Sequence, residues 1–431
     1  MSPARVRSTT ILLLAGLVLV AVALAGWSLW TMRNLESRAV PISTQIATDE
    51  TDPAVFGRYY PLEYDSYREN SQISRGPSKY GGSEPYDRLA EYPYMKTLWK
   101  GYSFEKGYNE DRGHVYSLED VKSTPRSPTQ AVCLTCKSAD VPGLIRKYGE
   151  KYYSMPFAQL SAEATHPIGC SDCHDPRTME LRITRPAFRE AMARRGVDVD
   201  RATRREMRTY VCAQCHVEYY FQPGTSKLTF PWDKGFDPEE EYAYYQDLGF
   251  HDWVHPGAGT PLLKAQHPDF EVFQGSVHQA AGLACADCHM PYRREGNVKV
   301  TSHWWTSPLR HLDGTCTVCH TEDAELLKQR VFYTQDRVKD LLDRAGRALA
   351  AAIEAIQRAT ALPDADAEPI RKARDLHRQA QWYWDWCSAE NSTGFHNPQK
   401  IMATLGKAID LAHQARAAAL AAVHAEASPG R

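Results

Sequence analysis

The sequence predicts a mainly α-helical protein with much irregular loop structure and long helices towards its C-terminal end. Three observations predict it. A short cysteine motif recurs five times between residues 133 and 320, at a spacing that fits one helical turn. The segments between the copies are rich in Pro, Gly and Tyr, which interrupt regular structure. After Thr321 the apolar residues fall into helical periodicity.

At the N-terminus, Arg5 and Arg7 precede an uncharged apolar run from Ile11 to Trp30. A cleavable signal has an apolar stretch of ~7–15 residues and a membrane span needs ~20. Residues 1–33 are therefore expected to anchor the chain. Cleavage after an Ala-x-Ala site (Ala21 and Ala23, or Ala23 and Ala25) is the other reading. Positive charge ahead of the run keeps the N-terminus in the cytoplasm. Either way the body is exported, to a periplasmic location. Residues 34–52 are polar and read as a linker. Residues 53–320 form the core, whose first part, to about Tyr116, lacks helical periodicity and is expected to wrap the rest in loops.

Four copies of the motif read Cys-x-x-Cys-His: Cys170, Cys173 and His174; Cys212, Cys215 and His216; Cys285, Cys288 and His289; Cys316, Cys319 and His320. The fifth reads Cys133, Cys136, Lys137. Cys-x-x-Cys-His is the attachment signature of c-type haem. Two thiols bond to the porphyrin edge and the next residue ligates the iron. Zinc sites combine Cys-x-x-Cys pairs but do not require a histidine after each. A thioredoxin-like redox motif would not recur five times. The chain therefore reads as a multihaem cytochrome c with five covalently bound haems. On a helical turn the first Cys, second Cys and His share one side, so each motif is expected at the start of a short helix or on a helical turn.

Ten of the eleven cysteines are consumed in this way. Cys387, beside Trp382, Trp384 and Trp386, reads as a buried thiol. Haems supply much of the apolar interior, so a hydrophobic content of 43% suffices. A net charge of −2 gives no reason to expect nucleic acid.

Residues 321–431 read as a helical region that completes the core. Leu326, Leu327, Phe332, Val338, Leu341, Leu342, Leu349, Ile353 and Ile356 mark a helix from Thr321 to Ala361, stopped by Pro363. A second helix runs from about Ala367 to Ala389. A loop with Gly394 and Pro398 follows, then a third helix to about Ala425. The first exceeds the usual ~8–20 residues, which points to a subunit interface. His377, His413 and His424 fall in these helices and read as solvated.

An electron-carrying haem fills both axial positions of its iron from the protein. Four motif histidines therefore need four partners, and spacing does not select them from the remaining histidines. Lys137 can coordinate only as a neutral amine, which marks one haem as chemically different. An open position opposite it would separate catalysis from electron storage.

Several stretches together resemble the pentahaem cytochrome c nitrite reductases, which form ammonia. They are Arg112-Gly113-His114-x-Tyr116, the Cys133–Lys137 motif, Cys212-x-x-Cys215-His216-Val217-Glu218-Tyr219, Lys264-x-Gln266-His267-Pro268 and Gly394-Phe395-His396-Asn397-Pro398. The resemblance implies six-electron reduction of nitrite to ammonium at the haem ligated by Lys137. It implies a pocket of Arg126, Tyr219 and His267, with Arg112 and Arg146 near in sequence as rivals for the arginine. It pairs His303 with the Cys170 haem, His114 with the Cys212 haem, His396 with the Cys285 haem and His278 with the Cys316 haem. It implies one Ca2+ held by Glu218, Gln266 and the backbone carbonyls of Tyr219 and Lys264, all oxygen donors that suit a hard cation. It further implies a homodimer and, as electron donor, a membrane quinol-oxidising multihaem cytochrome. The alternatives are an electron-transfer cytochrome without substrate, and a reductase of hydroxylamine or sulfite.

Overall fold

The structure is a computed structural model, and it describes residues 3–37, 46–110 and 112–424. Among the described residues helix dominates, and the strands form three short antiparallel hairpins. Helix α1 (Pro3–Ser37) carries the apolar stretch Leu13–Met32, whose mean hydropathy is 2.2 and in which no residue is buried. The linker over 34–52 falls partly outside the described residues.

Between Pro53 and Tyr116, where loops were expected, four short helices appear: Pro53–Gly57, Pro61–Arg68, Arg88–Glu91 and Met95–Leu98. They are too short to leave a periodic signal. Local capping starts two of them instead. Asp52 accepts from the Ala54 N–H at 2.8 Å, and Asp87 accepts from the Leu89 N–H at 2.9 Å.

Further along, α2 (Arg204–Ala213) begins on a reciprocal cap. The Glu206 N–H donates to Thr203 Oγ1 at 3.3 Å, and the Thr203 N–H donates to Glu206 Oε2 at 2.7 Å. Helix α3 (Pro238–Leu248) lies between hairpin β1 (Tyr220–Phe221) with β2 (Leu228–Thr229) and hairpin β3 (Trp253–Val254) with β4 (Pro261–Leu262).

The C-terminal region is α4 (Ala324–Thr360), α5 (Ala367–Ala389) and α6 (Pro398–His424), which pack on one another. These bounds agree with the periodicity; Ala425 lies outside the described residues. Asp323 caps α4 by accepting from the Glu325 N–H at 2.9 Å. Val338, Leu342, Leu349, Ile353 and Ile356 are buried, whereas Leu326 and Tyr333 stay 47% and 62% exposed and define a second, outward face of α4.

His377 departs from expectation. It is fully buried, with Nδ1 against Thr260 Oγ1 at 3.0 Å and Nε2 against Gln381 Oε1 at 2.9 Å. It is a satisfied core histidine, hidden in the sequence by its polar neighbours Arg374, Arg378 and Gln379. His413 is exposed, as expected, and the side chain of His424 lies outside the described residues.

Candidate functional site

Two motifs start short helices, Cys170–Cys173 and Cys285–His289. The residue before the second cysteine shapes each turn. Asp172 accepts from the Gly169 N–H at 2.8 Å, and Asp287 accepts from the Ala284 N–H at 2.7 Å, which satisfies a free donor at the helix start. Cys133 and Cys316 lie on 3-10 turns. Cys212 differs, because it closes the last turn of α2 instead of opening a helix.

The motifs are neighbours. Cys136 and Cys215 lie within hydrogen-bonding reach, as do Cys212 and Cys285. Cys173 borders Cys215, and Cys288 borders Cys316. The Cys212 motif is thus the hub, touching three of the others.

Arg185 stitches three motifs together and was invisible in the sequence. Its Nε donates to the Thr135 carbonyl at 2.6 Å, and Nη2 donates to the Ser138 carbonyl at 3.0 Å and to Asp172 Oδ1 at 2.6 Å. Gln214, from the Cys212 motif, donates to the Asp172 carbonyl at 3.1 Å and accepts from the Arg185 N–H at 3.2 Å.

Each motif histidine faces a second histidine, making four pairs; His255 and His377 also lie 6.3 Å apart, but away from any motif and with both His377 nitrogens taken by Thr260 and Gln381. Ring centroids are 6.1 Å apart for His174 and His303, 5.7 Å for His216 and His114, 6.2 Å for His289 and His396, and 6.4 Å for His320 and His278. Two imidazoles holding one metal through bonds of ~2.0 Å put their centroids ~6 Å apart, so all four pairs fit an iron between them. Hydrogen bonds orient several of the rings. Nδ1 of His174, His289 and His303 faces the carbonyls of Met179, Thr306 and Thr301 at 2.8, 3.1 and 2.9 Å, and Nδ1 of His216 faces Asp269 Oδ2 at 3.1 Å. That leaves Nε2 to face the partner ring. Asn70 positions two of these groups, donating to the His303 carbonyl at 2.7 Å and accepting from the Trp305 N–H at 2.9 Å. Trp305 lies edge-on to His114 at 4.8 Å.

Around the lysine motif, Ser117 Oγ bridges the carbonyls of Lys137 and His114, 2.8 Å from each. Arg126 and Tyr219 gather at Cys133 and Cys136. The Arg126 guanidinium stacks 4.3 Å from the Phe104 ring, and its Nε donates to Thr124 Oγ1 at 3.2 Å. Burial pushes the Tyr219 phenol well above its ordinary value, the thiols and Glu218 add to this, and Arg126 opposes it. Arg112 is committed to Asp120 and Glu119, at 2.5 and 2.8 Å, and Arg146 is exposed. His267 joins the Tyr219 segment through its N–H, which donates to the Val217 carbonyl at 3.3 Å.

Beside this pocket lies a set of hard oxygen donors. Glu218 is fully buried, accepting from the Tyr245 hydroxyl at 2.9 Å and the Gln266 N–H at 2.6 Å. The Gln266 side-chain amide lies 3.2 Å from the Lys264 carbonyl. The Lys264 ammonium is itself spent on Asp385, at 2.9 and 3.0 Å. Glu241 and Glu271 are buried nearby, and Glu241 Oε1 and Glu271 Oε2 have no hydrogen-bond partner. Burial pushes the carboxyls of Glu218 and Glu241 well above their ordinary value. Such a set of buried acidic oxygens is of the kind a hard cation would suit.

The family model for cytochrome c552 matches residues 52–429. A cytochrome c-552 of Bacteroides fragilis is 41% identical over 400 residues, covering 89% of this chain and 81% of that one. The cytochrome c nitrite reductase subunit NrfA of Nitratidesulfovibrio vulgaris is 37% identical over 449 residues, covering 93% and 85%. The solved cytochrome c nitrite reductase of Desulfovibrio desulfuricans, described for two calcium sites in its catalytic subunit, superposes with a TM-score of 0.84 at 38% identity over 90% of each chain. The chain belongs to the cytochrome c552 family of cytochrome c nitrite reductases.

Proposed function

We propose that this chain reduces nitrite to ammonium at a haem attached to Cys133 and Cys136 and ligated by Lys137, fed by four haems each held between two histidines. One observation carries the reading: each Cys-x-x-Cys-His motif faces a second imidazole at 5.7–6.4 Å, while the lysine motif is bordered by Arg126 and Tyr219. Cys133, Cys136 and Lys137 would hold the haem, which would supply single electrons to a small anion there.

The conversion takes six electrons and eight protons. One haem stores one electron, so close neighbours that refill it limit escape of partly reduced nitrogen. The residues supply the rest. Arg126, held flat by Phe104 and Thr124, presents positive charge to the nitrite oxygens. His267 delivers protons, an imidazole being able both to hold and to release one. Tyr219, kept neutral by burial, offers its O–H as a hydrogen-bond donor. Glu218, Gln266 and the Tyr219 and Lys264 carbonyls would hold one Ca2+, which fixes the segments carrying Tyr219 and His267 and adds positive potential for an arriving anion. Helix α1 tethers the enzyme to the inner membrane on the periplasmic side, near a quinol-oxidising multihaem donor. The outward face of α4 forms the homodimer contact.

In the oxidised protein, spectroscopy is expected to show one high-spin haem among low-spin ones; five low-spin haems would leave only an electron carrier. The His267→Asn variant is expected to keep all five haems and lose nitrite turnover by about 10²–10⁴-fold, the usual span for a general acid. Wild-type turnover in it would remove the proton-donor role. The Lys137→His variant is expected to alter the spectrum of one haem only. Nitrite and hydroxylamine added separately to dithionite-reduced protein rank the two as substrates.

A further inference from the structure

Asp269 stands between two of the histidine pairs. It opens the short helix Asp269–Phe273, two residues after His267, and its side chain is 9% exposed. Oδ2 accepts from His216 Nδ1 at 3.1 Å, and Oδ1 faces His396 Nδ1 at 3.7 Å. Asn391 pins the carboxylate, its N–H donating to Oδ1 at 2.8 Å and its Nδ2 to Oδ2 at 2.7 Å. Glu390, fully buried, brings Oε2 to 3.8 Å from the same His396 Nδ1 and is held by the Ser392 N–H at 2.8 Å and hydroxyl at 2.6 Å.

Asp269, Glu390 and His396 are close enough to share a cation. Their oxygens are already occupied by N–H and O–H donors from Asn391, Ser392 and Gly394, however. Against the cost of burial, His216 and Asn391 hold the Asp269 carboxyl below its ordinary value and anionic, whereas burial pushes the Glu390 carboxyl up to about 7. His174, His289 and His303 turn Nδ1 to neutral carbonyls instead. His320 faces Glu322 at 3.8 Å, but those side chains are 47% and 35% exposed and water screens them.

We propose that Asp269 is a positioning residue shared by two haems: one carboxylate, hydrogen-bonded to His216 on the Cys212 haem and facing His396 Nδ1, which has no hydrogen-bond partner, on the Cys285 haem, lowers both reduction potentials together. The proposal rests on the histidine pairing put forward above. A buried anion behind a ligating imidazole strengthens its donation and favours the oxidised iron. Cys212 and Cys285 lie within hydrogen-bonding reach, so these two haems adjoin on the electron path. Moving both potentials by one device keeps transfer between them close to thermoneutral.

The test is the Asp269→Asn holoenzyme, with haem content from the pyridine haemochrome and potentials from a spectroelectrochemical titration. Two low-spin haems are expected to rise, each by about a tenfold change in its oxidation equilibrium, or ~59 mV for a one-electron couple. The other three stay in place. The Glu390→Gln variant is expected to move one haem only. Unmoved potentials in Asp269→Asn, or a shift confined to one haem, overturn the proposal. If Asp269→Asn does not assemble five haems, Asn391→Ala loosens the carboxylate without neutralising it; the same two haems are then expected to shift, and an unmoved pair overturns the proposal. Wild-type protein tests the pairing separately. Fewer than four bis-imidazole signatures there would sink the pairing itself, whereas four such signatures with an unresponsive Asp269 variant would sink only the shared carboxylate.

Discussion

The residues between the cysteines matter as much as the cysteines. Thr135, Asp172 and Gln214 occupy the variable positions of three motifs, and all three meet at Arg185. Arg185 and Asp172 are 1% and 3% exposed, so neither charge can turn to water if the other is lost. Breaking a buried pair by removing one partner costs about 3–5 kcal/mol. The Arg185→Leu variant is therefore expected to unfold at a clearly lower denaturant concentration. If the proposed ligation by Lys137 holds, the spectrum of that haem should change with it, because Arg185 also holds the carbonyls of Thr135 and Ser138 on either side of Lys137. Asp172→Asn keeps the hydrogen-bond shape and should cost less. An unchanged unfolding midpoint in Arg185→Leu would mean that the motifs are positioned without this clamp.

Among the elements, the loop from α5 to α6 is where bundle packing meets the site. Gly394 sits at φ +83°, and a Cβ there would come within 2.4 Å of Val338 Cγ2 on α4. His396 follows two residues later. The Gly394→Ala variant is expected to lose about 1–3 kcal/mol from backbone strain and overpacking. The displaced loop should also draw His396 back, adding a second high-spin haem signal. Gly249, at the end of α3 with φ +64° and nothing within 4 Å of a Cβ, is the matched control. Gly249→Ala should lose about 1–2 kcal/mol without any spectral change. If Gly394→Ala kept its full low-spin signal, His396 would not depend on this packing. Helix α5 anchors the other side of the pocket. Trp382, Trp384 and Trp386 donate their indole N–H groups to the Pro238 carbonyl, the Leu342 carbonyl and Glu241, and Asp385 between them takes Lys264.

Taken as a whole, the molecule was legible in sequence wherever its signals are local. The five motifs declare covalent chemistry over five residues each, and α4 to α6 repeat every turn. The histidine partners were not legible from spacing, because His174 and His303, or His289 and His396, meet only in the folded chain; family resemblance supplied them. Arg185, Asp269, Asn70 and Trp305 carry no motif at all, since their roles arise from tertiary contacts. His377 misled because a polar helix face can still be buried when a loop packs over it. Helix α1 is the opposite case, readable from composition alone. Its stretch Leu13–Met32 has 20 residues, which at ~1.5 Å per residue spans a hydrocarbon core of ~30 Å. A signal peptide needs no such length. Arg5 and Arg7 before it favour a cytoplasmic N-terminus with the haem-bearing body outside. The mature protein is therefore expected to retain α1 by intact mass, to sediment with membranes through a high-salt wash and to be released by detergent. External protease should then free an active body. A mature chain beginning just after Ala23 or Ala25, found soluble in the periplasm, would replace the anchor with a cleaved signal and leave the catalytic reading untouched.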